Sequence, residues 1–138
     1  MASELKVDKF TGVTTAGSID VTGEGNSTTT NLQQGLSKCW CLFNGQGTIA
    51  IRDSFNSSAL TDIGTGIYQV AYSNNTASAD TVTSGSNVGD STTSDRTNGQ
   101  IGAYGSVKTA LTYFTTNYDN NLYTDYTHVG ITVNGDLA

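Results

Sequence analysis

The stretch KCWCLFNGQGTIAIRDSFNSSALTDIGTGIYQVAYS, residues 38–73, decides the fold. It contains the only tryptophan and both cysteines of the chain. In residues 38–43, Cys39, Cys41 and Phe43 alternate with Trp40 and Leu42, so both faces are apolar and the run reads as a central strand buried on two sides. Asn44-Gly45-Gln46-Gly47 follows as a tight turn whose glycines can take positive φ, then the β-branched run Thr48-Ile49-Ala50-Ile51-Arg52. After Asp62-Ile63-Gly64-Thr65-Gly66, the run Ile67-Tyr68-Gln69-Val70-Ala71-Tyr72 puts Tyr68, Val70 and Tyr72 on one face. Three strands over one apolar face are about the least that stands alone.

The order Lys38-x-Trp40-x-x-Phe43-Asn44-Gly45-x-Gly47-Thr48-Ile49-Ala50-Ile51-Arg52-Asp53-Ser54-Phe55-Asn56, followed by Leu60-Thr61-Asp62 and Gly64-Thr65-Gly66-x-Tyr68, resembles a module of tail-fibre-like and other virion structural proteins of tailed, especially marine, bacteriophages. Weaker likeness extends to Leu5-Lys6-Val7-Asp8, to residues 23–36 and to Gly135-Asp136-Leu137-Ala138. Residues 74–134 depart from that pattern. So do Cys39 and Cys41, which stand where such modules carry a small and a branched apolar residue. The resemblance makes Trp40, Phe43, Gly45, Gly47, Ile49, Ile51, Arg52, Asp53, Phe55, Asn56, Gly66 and Tyr68 a core-and-signature set. It implies a non-enzymatic particle protein, assembled in the host cytoplasm, trimeric, anchored by its N-terminal end on capsid or tail proteins and contributing to host adsorption.

At 138 residues the chain fits one domain able to bury roughly two-thirds of its unfolded surface. Only 36% of residues are hydrophobic and 13% charged, against 23 threonines, 14 serines, 12 asparagines and 16 glycines. That profile suits β-structure with many turns. Intrinsic disorder is the rival for such a composition, but it favours charge and proline over aromatics, and this chain has seven tyrosines, four phenylalanines and no proline. A formal charge of −6 argues against nucleic acid, and Lys6, Lys9, Lys38, Arg52, Arg96 and Lys108 form no cluster. The longest apolar run, residues 39–43, is far shorter than the roughly 20 residues of a membrane span, and residues 1–9 lack an apolar leader. Manufacture in a cytoplasm, without membrane insertion, is therefore expected.

Residues 1–37 read as an attachment arm, with a flexible leader as the alternative, since termini are often loose unless tied down. Leu5 and Val7 alternate with Lys6 and Asp8, and Ile19 and Val21 flank Asp20, but these apolar residues are too sparse for a core of their own. Such a segment orders itself on neighbouring chains, so Leu5, Val7, Ile19 and Val21 are the candidate particle contacts. Residues 32–36 are expected to make one helical turn closed by Gly35. Residues 38–138 are expected to form the folded domain. Within it, residues 74–100 read as a long polar loop with one strand at 79–83, suited to outside contact. Residues 107–114 read as a strand with Val107, Thr109, Leu111 and Tyr113 on one face, or as two helical turns with Val107, Leu111 and Phe114 together, and threonine and aromatics favour the strand. Residues 117–121 read as a turn and 122–133 as a last long strand, with Val129, Ile131 and Val133 on one face. The fold expected is all-β, a β-sandwich or jelly roll of seven to eight short strands with an extended N-terminal arm.

The chemistry-bearing residues are few. The lone His128 alternates opposite Val129 and Ile131 and reads as a surface residue rather than a catalytic base. Two residues apart on one face of a strand, Cys39 and Cys41 stand near the upper limit of disulfide separation with parallel rather than converging Cβ vectors, so they read as buried thiols rather than a mutual disulfide. Acidic residues sit in turn-like contexts, and the EF-hand, P-loop and dinucleotide spacings are absent. No enzyme activity, metal or cofactor is expected. The alternative to a virion protein is a soluble carbohydrate-binding module in which Tyr104, Tyr118, Tyr123 and Tyr126 stack on sugar rings, a host-surface glycan being the outward partner in either case.

Overall fold

A computed structural model describes residues 4–12, 19–22, 29–32, 35–88, 100–103, 110–118 and 122–135. The chain divides into two compact units, Met1–Leu36 and Ser37–Ala138. In the first, β1 (Asp20–Thr22) pairs antiparallel with β2 (Thr29–Asn31), Val21 opposite Thr30. The Leu32 amide extends this ladder to the Ile19 carbonyl at 2.8 Å, and the Gly35 amide donates to the Asn31 carbonyl at 3.2 Å; residues 33 and 34 of the expected helical turn lie outside the described residues.

The second unit is a β-sandwich of nine described strands: β3 (Cys39–Asn44), β4 (Ala50–Phe55), β5 (Ser57–Gly64), β6 (Ile67–Tyr72), β7 (Val82–Val88), β8 (Gln100–Ala103), β9 (Leu111–Tyr118), β10 (Leu122–Tyr123) and β11 (His128–Asn134). One antiparallel sheet runs β4-β3-β11-β7. In the other, Phe114 and Thr115 of β9 pair at once with Tyr68 and Ile67 of β6 and with Ala103 and Gly102 of β8. The order there is therefore β5-β6-β9-β8, with β10 continuing along the β6 side of β9.

The alternation that writes the strands also writes the core. Cys39, Cys41 and Phe43 from β3 and Val129, Ile131 and Val133 from β11 face Tyr68, Val70 and Tyr72 from β6, all buried, with Ile49 and Leu60 packed at the margin. The Phe43 and Tyr68 rings meet edge-to-face across the two sheets, centroids 5.0 Å apart. The Thr83 and Thr112 hydroxyls bridge β7 to β9 at 3.3 Å.

Several expectations need correction. The run 38–43 is buried on one face only: Leu42 is 36% exposed and Trp40 half-buried, since no described strand of this unit packs on the outer side of the sheet. The first three strands do not share a sheet, since β6 lies in the opposite layer and reaches it through β5, a strand whose apolar residues do not alternate. The loop expected over 74–100 contains β7, held by seven consecutive register pairs to β11; residues 89–99 lie outside the described set. The strand after residue 110 runs on through Asn117 and Tyr118, which the turn reading had claimed, and Thr112 and Thr115, rather than Leu111, are its buried residues among those described. The expected long last strand is broken at residues 124–127 into β10 and β11.

Candidate functional site

The signature residues are mostly joinery. The chain changes sheets between β4 and β5 through a single residue, Asn56, whose φ of 55° lies in the left-handed region that asparagine tolerates better than most. Its Nδ2 donates to the carbonyls of Lys38 at 2.8 Å and Asn74 at 3.0 Å, and its Oδ1 accepts the Asn74 amide at 2.7 Å. One side chain thus ties the corner to the start of β3 and to the exit from β6. Arg52 donates to the Thr127 carbonyl at 3.1 Å, and Asp53 accepts the Ser54 amide at 2.9 Å.

A second knot surrounds Asp125. Its Oδ1 accepts the Tyr68 hydroxyl and the Gly66 amide, each at 2.6 Å, while the Tyr68 oxygen also lies 2.9 Å from the Gly45 carbonyl. The Gly45 amide donates to the Tyr126 carbonyl at 2.9 Å. Glycine is required at 45 by proximity, since a Cβ there would strike the Tyr68 hydroxyl, and at 47 and 66 by positive φ, 67° and 64°. Burial, and then the Asp125 carboxylate, raise the Tyr68 hydroxyl far above the ordinary phenol range.

The thiols are sealed. Cys39 and Cys41 are free and buried. Burial, helped by the neighbouring Cys41, pushes the Cys39 thiol up to about 12. Burial also raises Cys41, with the Ser57 hydroxyl acting the other way.

Of the tyrosines expected to face outward, Tyr123 is exposed at 43%, and Tyr126 is a core residue at 3%. Tyr126 was misplaced because alternation counted back from β11 does not carry through the irregular segment 124–127. Tyr104 and the side chain of Tyr118 lie outside the described residues. His128 is exposed, with its Nδ1 3.2 Å from the Thr127 hydroxyl. Leu5, Val7 and Val21 are exposed at 74%, 46% and 51%, and Ile19 is half-buried.

The surface with the most varied chemistry is the outer face of the β4-β3-β11-β7 sheet. Register puts Phe55, Trp40, Thr132 and Ser84 side by side in one row and Asp53, Leu42, Gly130 and Ser86 in the next. Because residue 130 has no side chain, the face sinks into a depression of about 440 Å³ between Trp40 and Leu42 on one side and Ser84 and Ser86 on the other. A Cβ built at Gly130 would lie 3.8 Å from the Ser86 hydroxyl and 3.9 Å from a Leu42 methyl, ordinary contact distances that mark the two walls. Sequence reasoning assigned Trp40 to the core and gave Gly130, Ser84 and Ser86 no role. Only the cross-strand register brings them together.

No protein-family model, curated protein or solved structure matches the chain.

Proposed function

We propose that this chain is a non-enzymatic structural subunit of a tailed-phage particle, fibre-like or capsid-decorating, that self-associates as a homotrimer and docks on other particle proteins through residues 1–37. The observation that carries this reading is the character of the N-terminal unit. Its described pairing is three residues deep, and the residues of that ladder are exposed apart from a half-buried Asn31. Leu5, Val7, Phe10 and Val21 all stand in solvent. A two-stranded ladder with no apolar interior is marginal by itself and gains stability by laying such residues on another chain. The motif likeness over residues 38–68 is what favours a phage particle as that assembly.

Two measurements test it. Light scattering of the purified chain at micromolar concentration should give three times the 14.4 kDa chain mass, and a monodisperse monomer refutes the trimer. Removing residues 1–37 should leave a folded oligomer that is absent from purified particles, and incorporation of the truncated chain refutes the arm. The rival, a free carbohydrate-binding module built on Tyr104, Tyr118, Tyr123 and Tyr126, loses Tyr126 to the core.

A further inference from the structure

We propose that the depression over Gly130 is a binding site for one ring of a neutral glycan, with Trp40 as its stacking wall and the hydroxyls of Ser84, Ser86 and Thr132 as its polar rim. A pyranose has two chemistries, an apolar C–H face and a rim of hydroxyls that both donate and accept. The depression has the same two, set opposite one another. Trp40 and Leu42 present an aromatic face and a methyl surface from β3. Two strands away, at ~10 Å by ordinary strand spacing, β7 presents Ser84 and Ser86, and on the intervening β11 Thr132 stands in the row between Trp40 and Ser84. These three hydroxyls make no hydrogen bond to protein among the described residues, so their capacity is open to a ligand. Half-exposed tryptophan beside small hydroxylated residues is costly to leave wet and too polar to serve as core, and a ligand of mixed character suits both halves.

Charge and size narrow the ligand. None of the lining side chains is charged, Asp53 stands beside Leu42 in the next strand, and the chain carries −6. Anionic ligands, including uronates, sialylated glycans and nucleic acid, are therefore disfavoured, and a neutral sugar is not. A space of about 440 Å³ is the size of a small-molecule site. A second protein chain needs about 1,200 Å² of total buried surface for a stable interface, more than this one depression supplies.

This inference goes beyond the assembly reading and is tested on the purified full chain, so failure to incorporate into particles and failure to bind sugar are separate results. Because Trp40 is the only tryptophan, its emission reports this face without interference. The chain is titrated with neutral hexasaccharides of glucose, galactose and mannose in α and β linkages, and with a hexauronate as the charged arm. At least one neutral hexasaccharide should give a saturable emission change, and the hexauronate none. Gly130→Val should fill the depression, keep the melting temperature within a few degrees and weaken binding at least tenfold. Calorimetry with the same sugar should show a similar loss for Trp40→Ala, and less for Trp40→Phe. The proposal is overturned if no neutral hexasaccharide saturates, if the hexauronate binds equally well, or if Gly130→Val binds as tightly as the parent.

Discussion

Replacing Asn56 separates two contributions to the corner between the sheets. Asn56→Ala removes an acceptor and two donor contacts, of which the bond to the Lys38 carbonyl is part-buried and the pair with Asn74 is exposed. A typical net hydrogen bond is worth about 1 kcal/mol, and the exposed ones recover water, so this loss comes to about 2 kcal/mol. Alanine at φ 55° adds about 1 kcal/mol, a cost that glycine does not pay. Asn56→Ala should therefore cost about 3 kcal/mol and Asn56→Gly about 2. With ~2.1 cal/mol/K of unfolding entropy per residue over 138 residues, the alanine variant should melt about 10 °C below the parent and the glycine variant about 7 °C below. Differential scanning calorimetry at one fixed protein concentration measures both, since any self-association would couple melting to concentration. If glycine is no better than alanine, the backbone part of the reasoning is wrong. If both melt within about 2 °C of the parent, the corner is not held by this side chain.

Phe43→Ala, at a fully buried position packed on Tyr68, should cost about 3–5 kcal/mol, while Trp40→Ala on the outer face should cost less than about 2, and equal melting shifts for the two would overturn their placement on opposite faces. Gly45→Ala should cost about 1–3 kcal/mol by overpacking, and in Tyr68→Phe the same substitution should cost measurably less, so strict additivity in urea denaturation would contradict the close approach. Cys39 and Tyr72 keep their protons in the fold up to about pH 12, against ordinary values of 9.0 and 10.0, so their contribution is complete below about pH 9 and is lost as pH rises toward 12. Circular dichroism should accordingly show steep alkaline unfolding in that window, and Cys39→Val should move its onset upward. Iodoacetamide at pH 8 should modify both thiols quickly only in denaturant, and fast labelling of the native chain would contradict their burial.

Strands with alternating apolar residues were legible from sequence. β6 and β11 show the expected faces, Tyr68, Val70 and Tyr72, and Val129, Ile131 and Val133, because each lines the core from one side. β7 was not legible, since Val82-Thr83-Ser84-Gly85-Ser86-Asn87-Val88 has almost no hydrophobic signal and is a strand by virtue of its pairing with β11. β5 was hidden by two register shifts against β6, which interrupt its period. The five apolar residues 39–43 say that a strand is there, but whether Trp40 and Leu42 are covered depends on a layer that the local sequence does not mention. The depression beside Trp40 was illegible for the same reason, as its residues come from three strands far apart in the chain.

The corner at Asn56 joins two hairpins, β3 with β4 and β5 with β6, which are made one after the other. Their other neighbours, β11 and β9, are made only after all four of these strands. On the ribosome, Phe43, Tyr68 and Val70 therefore wait in water, and β3 and β6 offer open edges to any extended polypeptide within reach. Nascent copies on one message are the densest source of such polypeptide. A chain cut short before β9 should therefore expose the open edges of β3 and β6 and aggregate rather than form a smaller folded module. By this topology, slower translation of the second half should lower the yield of folded chain by giving neighbouring copies longer to pair with the open edges of β3 and β6.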